Sequence, residues 1–206
     1  MFKNSKYSII YIIFCICITS GCEKQKEQIS NYTPQENIRE GDLVFRRGIG
    51  LASQFVLLAD KKGMYSHIGI VVLAENKYKI VHAVPGEPDS KGSEDRVKID
   101  DIDTFFANDR AKSGAIMRIG NDSIALHAAK EALRIYNKGM LFDHKYNLRD
   151  TSQMYCTELI HFVYSRAGID LTEGRRNIIN LPSFSGEYIF PSDIQQNTSI
   201  KTIYIF

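Results

Sequence analysis

Two β-rich runs joined by a short polar turn constrain the fold of this chain more than any other feature. The runs are 65–73 and 78–84, and four residues separate them. Alternation along such runs puts every second side chain on one face of a strand. His67 lies on one face of the first run, and His82 lies on the matching face of the second. A hairpin folded about Ala74–Glu75 places the two histidines directly opposite each other.

The rest of the chain mixes segments of strand and helix character without an internal repeat. Strand-like segments are 40–45, 114–119, 188–191 and 200–206, and segments with helical spacing are 51–58, 99–106, 125–136 and 156–167. This order favours an α+β fold, in which an antiparallel sheet built from hairpins carries helices on one side.

The first residues of the chain have the pattern of a bacterial export signal. Two lysines precede an apolar run, Ile9–Ile18, that is shorter than the roughly 20 residues a membrane-spanning helix needs. Small residues then lead to Cys22, which resembles the acylated cysteine of lipoproteins, although Thr19 replaces the usual leucine. We predict a lipoprotein-type signal peptide over 1–21 and lipidation of Cys22. Ordinary cleavage nearby and an uncleaved membrane anchor stay open.

Removal of the signal peptide leaves a domain with one thiol. Residues 22–37 are polar and are interpreted as a flexible tether, so the folded domain is predicted to span 38–206. Of the four cysteines in the chain, only Cys156 lies in that domain, which excludes a disulfide and a cysteine-rich metal site there. Subtracting the two lysines of the signal peptide from the 26 basic residues leaves them equal to the 24 acidic residues. This balance argues against a nucleic-acid surface.

Cys156 stands at the predicted start of a helix. Apolar residues follow it at helical spacing up to Ala167, and Gly168 is a suitable C-terminal stop. A thiol at a helix N-terminus lies near the positive end of the helix dipole and near unpaired N–H groups, which favour thiolate. The same N–H groups are suited to hold an oxyanion. Taken alone, Cys156 also fits a buried core cysteine.

A cysteine nucleophile needs a base within hydrogen-bond reach and a third group that orients this base. His67 is the candidate base, although a histidine on an apolar strand face is as often a satisfied core residue. His82 is the candidate orienting group, and Glu87 and Asp89 are alternatives because a carboxylate makes a stronger, charge-assisted bond. A metal site at the two histidines lacks a ligand set at a recognised spacing, so we expect no metal and no cofactor.

Three further ionisable residues lie close to Cys156 in the sequence. Glu158, in the first helical turn, is expected to bond backbone N–H groups and to shape the pocket. His161 stands five residues beyond the cysteine and points to another face of the helix, so it is not expected to be the base. His144 lies in the preceding loop, and its position leaves a role as base open.

Three segments carry a family resemblance: Gly41–Phe45 (GDLVF), Tyr65–Val71 (YSHIGIV) and Tyr155–Leu159 (YCTEL). Together they resemble the circularly permuted, NlpC-type papain-like cysteine hydrolases, in the branch called YiiX-like, with lecithin retinol acyltransferase as a more distant relative. The histidine segment precedes the cysteine segment, which is the reverse of ordinary papain order and the mark of the permutation. The resemblance covers about residue 38 to the C-terminus.

This resemblance implies a nucleophile at Cys156 and a general base at His67. It also implies a polar third residue on the strand that follows the histidine strand, best matched here by His82. Relatives of the YiiX branch commonly have glutamate at that position, whereas the acyltransferase-like relatives have histidine. Residues of the oxyanion site or the pocket are expected at Tyr65, Tyr155 and Glu158.

We therefore predict a cysteine hydrolase that cleaves amide bonds through a thioester acyl-enzyme, in a domain exported and lipid-anchored to the bacterial cell envelope. Relatives cut cell-wall peptides, which makes these the favoured substrate class. A lipid acyl ester hydrolase or acyltransferase is the second hypothesis, and a non-catalytic lipoprotein that binds an amino compound or peptide is the third. The expected partners are a peptide, amide or acyl-ester substrate and the membrane, with no nucleic acid.

Overall fold

The computed structural model describes residues 37–87, 90, 92–181 and 184–206. The strands in these residues are β1 (Leu43–Gly48), β2 (His67–Ala74), β3 (Lys77–Ala83), β4 (Val97–Asp101), β5 (Ala111–Ile119), β6 (Leu141–Phe142), β7 (Gln153–Met154), β8 (Asn177–Leu181), β9 (Phe184–Tyr188) and β10 (Ile200–Ile205). The helices are α1 (Leu51–Ala59), α2 (Ile102–Phe105), α3 (Asp122–Asn137), α4 (Cys156–Arg166) and α5 (Pro191–Gln195).

Six of these strands form one sheet in the order β10-β5-β1-β2-β3-β4, and every neighbouring pair is antiparallel. Two small pairs lie outside it: β6 with β7, which is parallel, and β8 with β9, which is antiparallel. The large antiparallel sheet and the helices confirm the predicted α+β class. The strands β1 and β2 lie at the centre of the sheet, so two of the three segments that carry the family resemblance contribute to its middle.

Apolar residues cover both faces of the sheet, although helices were predicted on one side. On the first face, Ile68 and Ile70 of β2 pack in the core cluster that contains the buried residues of α3 and α4. On the second face, Val71 and Ile80 pack with Phe105 of α2. The second layer exists because α2 folds back under β3 and β4 and brings its aromatic side chain to the sheet.

The β2–β3 hairpin is present, but its register differs from the predicted one. Glu75 and Asn76 form the turn with φ of 53° and 60°, the left-handed pair that a two-residue type I′ turn requires. The centre of the turn therefore lies one residue later than predicted, and Gly69 faces His82 in place of His67. His67 is diagonal to His82 on the same face, a relation that still lets long side chains touch.

The segment predicted to be a helix from Ile99 to Phe106 divides into a strand and a helix. Its first part belongs to β4, and its second part forms α2. In β4, Lys98 and Asp100 are the cross-strand partners of His82 and Ile80, so all four side chains lie on one face of the sheet. The prediction was wrong because pairing of β4 with β3 buries Asp100, a charged residue that an exposed helix face would have left in water.

Most other predicted elements are present. The elements β1, α1, α3, α4 and β10 lie where the sequence patterns put them, and the Asn121 side chain caps α3 by accepting backbone N–H bonds. Residues with positive φ, Gly139 and Gly168, follow the ends of α3 and α4. The predicted strand 188–191 is wrong, since β9 ends at Tyr188 and Pro191 begins α5, where proline suits the first turn of a helix.

The turn before β1 joins the sheet to both large helices. Gly41 has a φ of 80°, and a Cβ at this position would overlap the carbonyl group of Ala125 in α3. The hydroxyl of Tyr164 in α4 donates a hydrogen bond of 2.6 Å to the Gly41 carbonyl oxygen. Next to it, the buried carboxylate of Asp42 accepts bonds of 2.6 and 2.8 Å from Arg118. The first segment of the family resemblance therefore holds the fold together at some distance from Cys156.

No helix in the described part of the chain is long and apolar enough to cross a membrane. The predicted signal peptide over 1–21, the lipidation site at Cys22 and nearly all of the tether lie outside the described residues. The lipid anchor and the predicted domain limits therefore stay predictions.

We predict that Gly41→Ala lowers the free energy of unfolding by about 2 kcal/mol or more. The new Cβ would clash with the backbone of α3, and alanine would have to hold a positive φ. Urea unfolding of the full chain measures the difference. Gly120→Ala is the matched control, because the space around its Cβ position is open. Equal stability of the two variants would contradict the tight contact described above.

Candidate active site

The N-terminus of α4 is held in place by contacts with the segment that precedes α5. Tyr155 caps the helix with an extended backbone, and its N–H lies 3.4 Å from Oε2 of Glu158. The Tyr155 hydroxyl accepts the N–H of Ile189 at 3.1 Å, and the Thr157 hydroxyl donates to the Ile189 carbonyl oxygen at 2.6 Å. These bonds fix the first turn of the helix and leave Cys156 half-buried at its start.

Two buried histidines and a carboxylate form a line of hydrogen bonds across three neighbouring strands. Nε2 of His67, the first residue of β2, lies 2.9 Å from Nδ1 of His82 on β3. Nε2 of His82 lies 3.1 Å from Oδ2 of Asp100 on β4. All three side chains are buried, and His82 is fully so. The line links the His67 ring to a carboxylate that it does not touch, and we call it the histidine relay.

Asp100 determines which ring nitrogens of the relay carry protons. An ionised carboxylate only accepts, so His82 donates from Nε2, which leaves its Nδ1 as an acceptor. His67 then donates from Nε2 to that Nδ1, and the lone pair of the neutral His67 ring lies on its own Nδ1. This proton assignment follows from the hydrogen-bond partners. The relay therefore leaves Nδ1 of His67 as the nitrogen that can accept a proton.

The sequence patterns did not reveal Asp100 as a site residue. Its carboxylate also lies 3.2 Å from Nζ of Lys98 and 3.1 Å from Nη1 of Arg110. Burial acts to raise the pKa of this carboxyl, but the bonds and charges of His82 and Lys98 hold the pKa well below its usual range. The available signal was the alternation of charged and apolar residues along β4, which fits a strand with one polar face.

Glu87, one of the two alternative carboxylates, does not take the place of Asp100. Glu87 accepts bonds of 2.7 Å from Arg46 and 2.9 Å from Arg110, and it serves these two guanidinium groups. Asp89 lies outside the described residues.

Cys156 and His67 line one cavity of about 200 Å³, at the end of the sheet where β2 begins and β3 ends. The backbone N–H of Ile68, the residue next to His67, acts to lower the pKa of the Cys156 thiol. The fold therefore brings the predicted nucleophile and the predicted base to the same hollow. Side chains from α1 and from the loop after β3 also line it, and among them are Ala52, Ser53, Val56, Pro85 and Glu87.

Arg46 puts a buried positive charge beside this cavity. It is the cross-strand partner of His67, and its guanidinium donates to the Phe105 carbonyl oxygen at 2.9 Å and to Glu87 at 2.7 Å. The guanidinium carbon stands 4.7 Å from the centroid of the Phe105 ring, within cation–π range. Its charge lowers the pKa of His67 and also acts to lower that of Cys156.

Both imidazoles of the relay are neutral at physiological pH. Burial lowers the pKa of His67 well below its usual value, and the charges of Arg46 and His82 lower it further. Burial also lowers the pKa of His82, although its hydrogen bond to Asp100 acts in the opposite direction. The neutral His67 ring carries one proton and can accept a second, but it is a weaker base than a histidine in water.

The Cys156 thiol holds its proton, contrary to the expectation from its position at a helix N-terminus. Burial raises the pKa of this thiol to about 11 and outweighs the backbone N–H groups of Ile68, Thr157 and Cys156, which act to lower it. A helix terminus contributes about 1 kcal/mol or less, whereas the removal of a charge from water costs several. The site therefore holds a neutral thiol and a neutral imidazole in place of an ion pair.

Tyr146, from the loop before α4, adds a hydroxyl group to the site. Its φ is 52°, it lines the cavity, and its ring centroid lies 5.3 Å from that of Tyr155. Burial raises the pKa of Tyr146 to about 12, and the negative charge of a Cys156 thiolate acts in the same direction. The phenol is therefore a proton-bearing donor in the cavity that Cys156 also lines. Nothing in the sequence pattern distinguished it from the other tyrosines of the chain.

Of the expected pocket residues, Tyr155 lines the cavity, whereas Tyr65 and Glu158 do not. Tyr65 is a core residue of the face that packs on the helices. Glu158 accepts from the cap of α4, as described above, and burial raises its pKa to about 8. His161 and His144 pair with carboxylates outside the cavity, at 3.2 and 3.4 Å.

No protein-family model matches this chain, and no curated protein matches it. Among solved structures, the crystal structure of the metalloprotein yiiX from Escherichia coli O157:H7 (DUF1105) is similar, with a TM-score of 0.63. The similarity covers 81% of this chain and 96% of that chain, at 18% sequence identity. Identity this low shows a shared fold, so the chain has a YiiX-like fold, and its chemistry follows from its own residues.

We predict that alkylation of Cys156 by iodoacetamide accelerates about tenfold per pH unit from about pH 7 to about pH 10, without levelling near 8.5 as for an ordinary thiol. The direction follows from the raised pKa of the thiol, since the thiolate fraction keeps growing until the pH approaches about 11. In the full chain, Cys15, Cys17 and Cys22 are changed to serine, so that the alkylation rate reports on Cys156 alone.

The same variant unfolded in guanidinium is the control, and its alkylation rate is expected to level off near the ordinary thiol pKa of about 8.5. A plateau below neutral pH in the folded chain would instead show a resting thiolate–imidazolium pair.

Proposed function

We propose that this chain is a cysteine-dependent hydrolase that cleaves acyl bonds through a thioester acyl-enzyme, with amide bonds of cell-wall peptides as the first substrate class. The observation that carries the proposal is the cavity shared by Cys156 and His67, with His67 joined through His82 to Asp100. The order of the histidine strand before the cysteine helix supports a permuted papain-like arrangement within the YiiX-like fold.

In the first step, Sγ of Cys156 attacks the substrate carbonyl carbon while Nδ1 of His67 takes the thiol proton. General-base transfer of this kind does not require a resting thiolate, so it suits a neutral thiol beside a neutral imidazole. As His67 becomes positive, His82 accepts a stronger hydrogen bond from it, and the negative charge of Asp100 stabilises the imidazolium from the far end of the relay. His82 and Asp100 are thus positioning residues.

In the second step, His67 returns the proton to the leaving nitrogen, the C–N bond breaks, and the acyl group stays on the sulfur as a thioester. A water molecule then attacks the thioester while His67 takes its proton, and the C–S bond breaks to release a carboxylic acid and the thiol. The backbone N–H of Cys156 and the hydroxyl of Tyr146 are the donors that we assign to the negative oxygen of each tetrahedral intermediate.

We derive no step through a metal ion, although the similar yiiX structure is that of a metalloprotein. In the described residues of this chain, no three histidine, cysteine or acidic side chains are grouped to hold a metal. Nε2 of His67 and both ring nitrogens of His82 are hydrogen-bonded within the relay, so these three nitrogens are not arranged as metal ligands.

One observation favours a different function, that of a lipoprotein that binds an amino compound or peptide without cutting it. The raised pKa of Cys156 is also what an inert buried thiol shows. The two functions differ in turnover and not in binding, so a turnover assay separates them.

Acyl esters are a second substrate class for the same chemistry, with an alcohol in place of the amine as leaving group. Apolar side chains of α1, Ala52 and Val56, line the cavity and suit an acyl chain. We further propose, on the sequence pattern of residues 1–22, that the domain is exported and carries a lipid on Cys22.

We predict that Cys156→Ala lowers turnover of every substrate that the wild-type chain cleaves by at least about a thousandfold, because the nucleophile is lost. A screen of muropeptides against acyl esters of several chain lengths, read by product mass, identifies the substrate. His127→Ala is the matched control, because this histidine is exposed on α3 and outside the cavity.

Turnover retained in Cys156→Ala would rule out the proposed mechanism. Binding of a muropeptide by the wild-type chain without any product would favour the binding lipoprotein.

We predict that Asp100→Asn lowers kcat about a hundredfold or more and leaves KM nearly unchanged. The asparagine amide would donate to Nε2 of His82, which reverses the relay and places a proton on Nδ1 of His67, where the base is needed. Asp101→Asn is the matched control, since Asp101 is the exposed neighbour at the end of β4. Thermal unfolding of both variants distinguishes a loss of catalysis from a loss of fold. An unchanged kcat in Asp100→Asn would show that Asp100 has no part in the mechanism.

A further inference from the structure

Helix α1 exposes an apolar stripe in the part of the chain that the structure describes. Leu51, Phe55 and Leu58 succeed one another at spacings of four and three, so they lie on one side of the helix, and they are 81%, 70% and 76% exposed. Ile49 and Met64, which flank the helix, are 50% and 55% exposed. Single exposed apolar residues are ordinary, but a contiguous stripe of this kind marks a contact surface.

Basic side chains border this stripe. Lys61 and Lys62 are exposed directly after α1, and Arg47 is half-buried shortly before it. The acidic residue at the end of α1, Asp60, is buried and accepts bonds from the N–H and the hydroxyl of Ser192, so its charge is turned inward. An apolar helix face with cations at its border matches the acyl chains and anionic headgroups of a bilayer surface.

We propose that α1 docks on an anionic membrane surface, with Leu51, Phe55 and Leu58 among the upper acyl chains and Lys61 and Lys62 at the headgroups. Size favours a membrane over a protein partner: α1 has nine residues, whereas a stable protein interface takes about 20–30 residues a side. A short interfacial helix needs its apolar face and its cationic border. This docking does not depend on Cys156 being a nucleophile, so it stands or falls separately from the proposed hydrolase.

Docking in this way brings the cavity next to the bilayer. Ala52, Ser53 and Val56 of the same helix line the cavity together with Cys156. Because one helix is both membrane contact and cavity wall, an amphiphilic substrate would reach the cavity from the membrane surface.

The experiment reads insertion at Phe55 itself, so that binding through residues 1–36 is not mistaken for docking of α1. In the full chain, the four natural cysteines are changed to serine and Phe55→Cys is labelled with nitrobenzoxadiazole, which brightens in an apolar environment. Vesicles of phosphatidylcholine with phosphatidylglycerol are expected to raise the emission several-fold and shift it to the blue. Leu126→Cys on α3, 37% exposed, is the matched control and is expected to show no change.

Lys61→Gln combined with Lys62→Gln is expected to weaken binding of the chain labelled at Phe55→Cys to the anionic vesicles about 25-fold, since each lysine contributes about fivefold. Unchanged emission at position 55 while the chain is bound to the vesicles would overturn the proposal. Blue-shifted emission before vesicles are added would overturn the proposal too, because another segment of the chain or a second copy would then cover the stripe. Emission that changes with protein concentration would indicate the second copy, and emission that does not would indicate the other segment.

Discussion

The hydrogen bond between two buried imidazoles is the interaction on which the candidate site depends. His67 and His82 meet because each is diagonal to the next across neighbouring strands, and Asp100 repeats the same offset on the third strand. A slip of one residue in either strand pair would send a member of the relay to the other face of the sheet. The packing on both faces, with Ile68 on one side and Phe105 on the other, therefore also sets the geometry of the site.

Local patterns in the sequence were enough to predict the hairpin, the shared face of the two histidines and the helix that begins at Cys156. The register was not predictable in the same way, because Glu75 and Asn76 take the left-handed conformations of a tight turn without the glycine that usually signals one. Asp100 was missed because its strand is short and runs directly into α2, so helical spacing extended over both. The proton on Cys156 depends on burial, which only the assembled fold determines.

The electrostatics of the site follow from the burial of His67 and the partial burial of Cys156. Burial raises the pKa of Cys156 and lowers that of His67, so proton transfer from sulfur to nitrogen is unfavourable until a substrate takes part. In the proposed mechanism, attack on a carbonyl carbon would couple that transfer to bond formation, and the negative oxygen formed would be a partner for the new positive charge. The Cys156 thiol would then become reactive only when a substrate is bound. An unspecific electrophile would meet the protonated thiol and react slowly with it.

The two faces of the sheet bury different kinds of side chain, and the relay lies on the face that carries the buried charges. The face under α3 and α4 is packed with apolar side chains, whereas the opposite face buries two imidazoles, Asp100, Lys98 and Arg46. Buried ionic networks of this kind are often matched or exceeded in stability by apolar residues of similar volume. Here one atom, Nε of Arg46, even lacks a hydrogen-bond partner. Val71, Ile80 and Phe105 pack on this same second face, so the buried polar side chains interrupt an otherwise apolar layer beside the cavity that Arg46 and His67 line.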